Sequence, residues 1–360
     1  MMGDRLRLAR KRAGYSLREL ANRLDSMVTP QAIGRYERDE ITPSRPVLLA
    51  LSTALGVTED FLKAEAQVQL GRLEFRKHSG TSARERSIVE AGVLEHVERY
   101  LFVEETLRLD SATWMAPKER ALTSLTDAED AAQELRAKWN LGDDPIPNLT
   151  ELLEQQGIKV ILLDLPERVS GLTCLVNRAR SQLAVPAIII NRSHNLERRR
   201  MTMAHELAHR LCRAGHGVDE EKAANRFAGA FLQPADHVRR EVGRHRQGFG
   251  VPELLQTKRL YRVSAAALLV RFRDLSIISN ETMAYIFQTV GRTWRRREPE
   301  PIEIERTALL EAPRRYERLC YRALAEGLID EVRAAELLSK NVSAVRQAMK
   351  GEVPRKGKAT

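Results

Sequence analysis

The feature that most constrains this chain is the stretch Met203–Leu211, which contains the sequence His-Glu-Leu-Ala-His. On an α-helix, residues four apart lie on one face about one turn apart, so His205 and His209 would point in the same direction. Glu206 would then lie beside them. Two histidines placed in this way can offer ring nitrogens to one ion, so the sequence predicts a metal-binding helix.

The chemistry of such a helix depends on what else reaches the ion. An ion held by two neutral imidazoles keeps open coordination positions, and water bound there becomes acidic enough to lose a proton to a nearby carboxylate. Glu206 is the candidate for that general base. The bare pattern also fits a surface helix with two solvated histidines, so a third ligand has to be found.

The third ligand is expected in a second helical pattern, at residues 220–234. Glu221 and Asn225 are four apart there, so Glu221 can complete a His2Glu site while Asn225 hydrogen-bonds one of the ligands. Glu221 is preferred to the neighbouring Glu220 because the apolar positions that follow it at helical spacing keep it beside the core. His216 is a competing ligand, but the glycines on both sides of it indicate a turn.

These two stretches resemble the ImmA/IrrE family of metallopeptidases, which occurs in bacterial and phage regulators. The resemblance rests on Met-Ala-His-Glu-Leu-Ala-His and on the downstream run Glu-Lys-Ala-Ala-Asn-Arg-Phe-Ala-Gly-Ala-Phe-Leu-Gln-Pro. It implies that His205, His209 and Glu221 bind zinc, with manganese as an alternative ion. It also implies that Glu206 is the general base. The family usually has Met at the position of Gln233, which lies beyond the ligands.

The amino-terminal segment has a different character. Residues 3–64 predict five short helices, and the second and third have start signals. Ser16 followed three residues later by Glu19 is a capping-box pattern, and Thr29 can cap the third helix with Pro30 at its first position. A helix, a turn and a second helix of this size form the geometry that places the second helix in the DNA major groove.

Polar side chains on the third helix are the candidate DNA contacts. Gln can pair with adenine and Arg with guanine, whereas contacts to phosphates fix the position of the protein. The residues expected to face base edges are Thr29, Gln31, Ala32 and Arg35, whereas Arg10, Arg38 or Arg45 is expected to touch phosphates.

The strings Ser-Leu-Arg-Glu-Leu-Ala and Ile-Gly-Arg-Tyr-Glu-Arg in this segment resemble the XRE/Cro family of helix-turn-helix domains. Two departures are Pro30, where Gln is usual, and a longer turn before the third helix. The resemblance implies a double-stranded DNA operator as a partner. A helical protein-interaction domain is the alternative, because a fold can keep its core without binding DNA.

The whole chain is expected to be multidomain and mainly α, with a zincin-like α+β metallopeptidase domain. Within that domain, Val185–Asn191 is an apolar β-branched run that predicts a strand, expected as an edge that holds an extended peptide over the metal. The predicted units are a five-helix helix-turn-helix domain at 1–66, a helical connector at 67–141, the metallopeptidase domain at 142–290, a linker at 291–312 and a C-terminal helical module at 313–350.

The composition indicates the cellular compartment and the kind of partner. A formal net charge of +10 fits a polyanionic partner such as DNA. The three cysteines are far apart in the sequence and form no metal or disulfide pattern, which indicates a reducing compartment. No segment approaches the roughly 20 apolar residues that a membrane span requires, and no signal peptide is evident. The chain is therefore expected to be soluble and cytoplasmic, without a membrane partner.

Together these expectations describe a DNA-binding transcriptional regulator that carries a zinc-dependent endopeptidase. In the family that the sequence resembles, the peptidase commonly cleaves a partner repressor after stress or induction, so a repressor or antitoxin protein is the expected substrate. His237, His245 and Tyr261 are equal candidates for stabilising the oxyanion of a tetrahedral intermediate.

Three questions stay open at this level. One alternative function is a non-proteolytic regulator or antitoxin-like protein with a structural or sensory metal site. Glu206 favours the enzyme, because a structural site needs no general base. Cleavage of the chain itself, at 65–82 or at 112–127, is another alternative. The oligomeric state, with a homodimer as one option, is also undecided.

Overall fold

The structure is a computed structural model that describes residues 2–63, 68–70, 82–109, 114, 119–178, 181–294, 296–302 and 311–351, with the backbone alone for 69, 70 and 181–183. Residues 352–360 and most of the 65–82 segment lie outside the described residues. Along the described part of the chain, no helix combines the length and the apolar character that crossing a bilayer requires.

Five helices form the amino-terminal domain, as the sequence predicted. The capping box at Ser16 and Glu19 is present, and Thr29 caps the third helix through the backbone N–H of Ala32. Apolar residues from all five helices close one core, in which Leu6, Leu20, Ile33, Leu51 and Leu62 are fully buried. The helices are α1 (Met2–Arg12), α2 (Leu17–Arg23), α3 (Pro30–Glu37), α4 (Arg45–Leu55) and α5 (Glu59–Lys63).

A mixed four-stranded sheet lies at the centre of the remaining chain. Its strands, in spatial order, are β1 (Val68–Leu70), β4 (Gly171–Arg178), β5 (Ser181–Asn191) and β3 (Lys159–Leu163). β5 is parallel to β3 and antiparallel to β4, and β4 is antiparallel to β1. The prediction that Val185–Asn191 forms an edge is therefore wrong, because strands pair with it on both sides.

The two faces of the sheet are covered by two long helices, α6 (Ala83–Thr106) and α9 (Leu196–Leu211). Ile189 of β5 is buried on the α6 side, whereas Ile188 and Ile190 belong to the core that contains α9, as the alternation of side chains along a strand requires. Gly171 lets α9 approach closely, because a Cβ atom there would lie 2.5 Å from Cγ2 of Thr202.

Shorter elements complete the core around α9. β2 (Arg120–Leu122) pairs in parallel with β6 (Cys212–Ala214), and neither three-residue strand was predicted from the sequence. α7 packs against α10, so the segment predicted as a connector contributes to the same core as the motif helix. The remaining helices are α7 (Leu125–Lys138), α8 (Leu149–Gln155), α10 (Glu220–Leu232), α11 (Ala235–Val242), α12 (Val251–Tyr261), α13 (Ala265–Asp274) and α14 (Asn280–Gln288).

Helix α6 also contacts both ends of the chain. Arg5 of α1 donates to Glu98 of α6 at 2.6 Å through Nη2. At the other end, Tyr100 of α6 shares a buried cluster with Tyr316. The carboxyl-terminal helices are α15 (Arg315–Ala325), α16 (Glu331–Leu338) and α17 (Val342–Met349). The predicted domain boundaries stay predictions, but α6 links the amino-terminal domain, the sheet and these last helices.

Candidate metal centre

Two helices with well-defined starts position the site. The side chain of Asn195 caps α9 by accepting from the N–H of Arg198. Asp219 caps α10 in the same way, through the N–H groups of Glu221 and Lys222. The packing of α10 on α9 brings the first turns of α10 against the turns of α9 that carry the two motif histidines.

Three side chains converge on one point. Nε2 of His205 lies 3.1 Å from Nε2 of His209. The carboxylate of Glu221 spans both rings, with Oε1 3.3 Å from His209 Nε2 and Oε2 3.5 Å from His205 Nε2. Ligands bound tetrahedrally to zinc at 2.0–2.1 Å are about 3.3 Å apart. Each of the three distances is close to that separation, so the three side chains lie close enough together to bind one zinc ion.

The second nitrogen of each imidazole also has a partner on α10. Oδ1 of Asn225 lies 3.0 Å from Nδ1 of His205, so it can accept a hydrogen bond from that nitrogen and leave Nε2 free to bind an ion. Oε1 of Glu220 lies 3.5 Å from Nδ1 of His209. Glu220, the alternative to Glu221 in the sequence analysis, therefore lies next to Nδ1 of His209. That nitrogen faces away from His205 Nε2 and from the carboxylate of Glu221.

Glu206 is partly buried next to His205 on α9. Burial raises the pKa of its carboxyl group, because the charged form loses solvation there. The neighbouring histidines oppose this shift when they are protonated. Its location beside the ligand cluster suits a group that exchanges protons with a water molecule.

The other candidate site residues are not members of this ligand cluster. His216 is exposed, in the turn after β6, and is not a member of the cluster formed by His205, His209 and Glu221. His237 of α11 and Tyr261 of α12 pair with each other, with Nδ1 2.7 Å from Oη. The hydroxyl group of Tyr261 is therefore engaged with His237. Whether either residue stabilises an oxyanion stays a prediction. His245 lines a separate cavity with residues 276–281.

In the amino-terminal domain, α3 presents a polar surface. Gln31, Arg35 and Arg38 are exposed, whereas Ala32 is partly buried. Both arginines contact Glu40, at 3.5 Å from Arg35 and 2.6 Å from Arg38. Thr29 uses its hydroxyl oxygen to cap the helix. The predicted DNA contacts at these positions stay predictions.

Arg10 has a different environment from the one expected. Its guanidinium donates to Glu37 Oε2 at 2.8 Å and to the carbonyl oxygen of Tyr15 at 2.7 Å, and little of the side chain is exposed. These bonds hold α1 to α3. Neither these bonds nor the exposure of Arg45 tests the predicted phosphate contacts, so both stay predictions.

Comparisons with known proteins identify two regions of the chain. Residues 153–273 match the model of the IrrE N-terminal-like domain, and residues 6–62 match a helix-turn-helix model. The chain is 34% identical over 115 residues to the HTH-type transcriptional regulator ImmR of Bacillus subtilis (strain 168), covering 30% of this chain and 84% of ImmR. It is 40% identical over 62 residues to the SPbeta prophage-derived uncharacterized HTH-type transcriptional regulator YonR of the same organism, covering 17% of this chain and 56% of YonR.

No solved structure matches the chain significantly. The two family models lie one after the other, and they contain the helix-turn-helix helices and the metal-binding motif helices respectively. The chain therefore belongs to the ImmA/IrrE family and carries an amino-terminal helix-turn-helix domain of the XRE type.

Proposed function

We propose that this chain is a DNA-binding transcriptional regulator with a zinc-dependent endopeptidase that cleaves a repressor or antitoxin protein. The observation that carries the proposal is the convergence of His205, His209 and Glu221 at distances suited to zinc, with Glu206 beside them. Two histidines and one carboxylate are the ligand set of catalytic zinc sites that keep a position for water. A purely structural site usually has four protein ligands.

In this proposal, each residue of the cluster has one task. Zinc, when bound, polarises a peptide carbonyl and makes water more acidic. His205, His209 and Glu221 would hold the ion, and Asn225 would fix the ring of His205. Glu206 takes a proton from the attacking water and returns it to the departing amine.

The peptide substrate would lie along β4. The outer edge of β4 accepts β1 over Val176–Arg178, which supports strand addition at this edge. Helix α9 lies directly against β4, since Thr202 touches Gly171 three residues before His205. Over Gly171–Leu175, β4 pairs within the described residues only with β5. An extended loop of a partner protein would pair there with its backbone, as β1 does further along.

The amino-terminal domain would direct the regulator to an operator. The family model match and the likeness to ImmR, a transcriptional regulator by name, support this part of the proposal. The exposed amide of Gln31 and the guanidinium groups of Arg35 and Arg38 are suited to bases and phosphates. The expected state is an α3 helix in the major groove.

A comparison of the zinc-loaded wild type with Glu206→Gln tests the peptidase. Each protein is incubated with the repressors and antitoxins encoded near its own gene, and the products are identified by mass spectrometry. We expect cleavage by the wild type and a loss of at least about 100-fold in the variant, the usual effect of removing a general base. The variant should bind zinc and DNA as the wild type does, because Glu206 is not a ligand.

The alternatives predict other outcomes of the same experiment. If zinc binds and no partner is cleaved, the site is structural or sensory. If fragments of the chain itself accumulate in the wild type alone, with ends within 65–82 or 112–127, the peptidase acts in cis. Cleavage by both proteins would remove Glu206 from the proposed mechanism.

A further inference from the structure

We propose that Glu220 is a positioning residue that holds His209 by its outer ring nitrogen, completing a carboxylate–histidine–metal arrangement. This inference rests on the metal site of the proposed function, but not on peptide cleavage. Glu220 and Glu221 are adjacent in sequence and both acidic, so the sequence alone leaves them as rivals for one ligand position. The geometry gives them two different tasks.

The first step is the orientation of the His209 ring. Its Nε2 atom lies 3.1 Å from His205 Nε2 and 3.3 Å from Glu221 Oε1, so Nε2 faces the point where an ion would bind. Its Nδ1 atom therefore faces outward. Oε1 of Glu220 lies 3.5 Å from that outward nitrogen. This is an ion-pair distance at the outer limit of a hydrogen bond, so a small movement of its side chain would let Glu220 accept the Nδ1 proton, while Glu221 is placed to bind the ion.

The second step is why α10 can supply both groups. Consecutive residues on an α-helix project about 100° apart, so two adjacent glutamates reach different sides of a neighbouring ring. Asp219 fixes the start of the helix by accepting from the N–H of Glu221, which sets the direction of both side chains. One turn further, Asn225 reaches His205 from the same helix. Helix α10 thus contacts both rings and adds one ligand.

The third step is the difference between the two partners. Asn225 offers His205 a neutral amide oxygen, whereas Glu220 offers His209 a carboxylate. A charged acceptor forms the stronger hydrogen bond, fixes the Nδ1–H tautomer and makes the opposite nitrogen a better electron donor to a metal. Because Glu220 is 40% exposed, water weakens this effect without removing it. Glu220 should therefore tune metal affinity rather than decide whether metal binds.

Zinc affinity of the full-length chain, measured by competition with a chelator, tests the proposal. Replacing such a partner of a ligand typically lowers metal affinity 10–100-fold, and we expect a loss in that range for Glu220→Ala with one zinc still bound per chain. Glu220→Gln retains a side-chain oxygen that can accept the Nδ1 proton, so it should lose less than Glu220→Ala. Glu221→Ala removes a ligand and should lose more than either.

Glu253→Gln is the matched control. Glu253 is 39% exposed and pairs with Arg246, so its loss changes the net charge equally without touching the site. In zinc-loaded protein labelled with nitrogen-15 histidine, NMR should report His209 as the Nδ1–H tautomer in the wild type, with a shifted Nδ1 signal in Glu220→Ala. The thermal midpoint of the metal-free protein should be similar in the wild type and Glu220→Ala.

Three results would overturn the proposal. The first is wild-type zinc affinity in Glu220→Ala. The second is complete loss of zinc in Glu220→Ala together with retention in Glu221→Ala, which would make Glu220 the ligand. The third is an equal loss of zinc affinity in Glu253→Gln, which would show that the effect comes from the change in net charge. If the wild type binds zinc but cleaves no protein, the peptidase assignment is wrong. The zinc-affinity test of Glu220 remains valid in that case.

Discussion

Arg200 of the motif helix α9 forms an ion pair with Glu311, and neither side chain is exposed to solvent. Glu311 also accepts the backbone N–H groups of Leu149 and Thr150, at 3.1 and 3.0 Å, at the start of α8. Arg200 donates in addition to the carbonyl oxygen of Ile146. A residue from the predicted linker at 291–312 therefore fastens the helix that carries the metal ligands.

Glu311→Ala should lower the free energy of unfolding by about 3–5 kcal/mol, because it leaves the Arg200 guanidinium buried without its counter-charge. Urea denaturation monitored by circular dichroism measures the change. Glu317→Ala is the control, since Glu317 forms an exposed pair with Lys340 whose loss should cost at most about 1 kcal/mol. Equal effects of the two substitutions would contradict the buried role of Glu311.

Substitution of the exposed arginines of α3 should change the salt dependence of DNA binding. Removing one side chain that binds a phosphate lowers the slope of log affinity against log salt by about 1, so Arg38→Gln should lower it by about 1, whereas Arg35→Gln should weaken binding to the operator more than binding to unrelated DNA. Fluorescence anisotropy of a labelled duplex across a KCl series measures the slope. Arg10→Gln should lower the melting temperature as well, because Arg10 bonds to Glu37. An unchanged slope in Arg38→Gln would exclude a phosphate contact at this end of α3.

Glu154 should make stability depend on pH. Burial raises the pKa of its carboxyl group from 4.5 to about 7, although one oxygen accepts a hydrogen bond from Tyr100. The folded state therefore holds a proton that the unfolded state releases between these pH values, and stability falls as pH rises through this window. The loss amounts to roughly 3 kcal/mol above pH 7 at most.

Glu154→Gln tests this assignment because it keeps the size of the side chain and removes the ionisation. Relative to the wild type, the variant should gain stability as pH rises from 4.5 to 7. Chemical denaturation at several pH values provides the comparison, and parallel curves for the two proteins would refute the assignment. The difference in stability between the two proteins excludes the contribution of other titrating groups. One such group is His96, whose pKa is lowered to about 4 by burial.

Gly171→Ala should disturb the contact between α9 and β4. The added Cβ would lie 2.5 Å from Cγ2 of Thr202 and 2.9 Å from the carbonyl oxygen of Ile189. Overpacking of this kind costs about 1–3 kcal/mol. Combining it with Thr202→Ser, which removes Cγ2, should restore only part of the stability because the backbone contact remains. Thermal denaturation measures both variants, and a neutral Gly171→Ala would show that α9 can move away freely.

Local pattern was enough to predict several features. The spacing of His205 and His209, the start signals at Ser16 and Thr29, and the apolar periodicity of the helices depend on residues within a turn or two of one another. The five amino-terminal helices, α9 and α10 appear in the structure where these patterns indicate them. Each element is specified by contacts within itself, so its sequence contains the necessary information.

The tertiary structure decided what depends on distant partners. Strand order arises from hydrogen bonds between segments far apart in the chain, so the sequence of β5 could not reveal that β3 and β4 flank it. The short strands β2 and β6 have too few residues to show a period. The side chains of Glu220 and Glu221 are chemically the same but reach different nitrogens of His209, because of the way α10 packs on α9. Sequence periodicity fixes which side of a helix is apolar, whereas the role of each polar side chain depends on the atoms that folding brings opposite it.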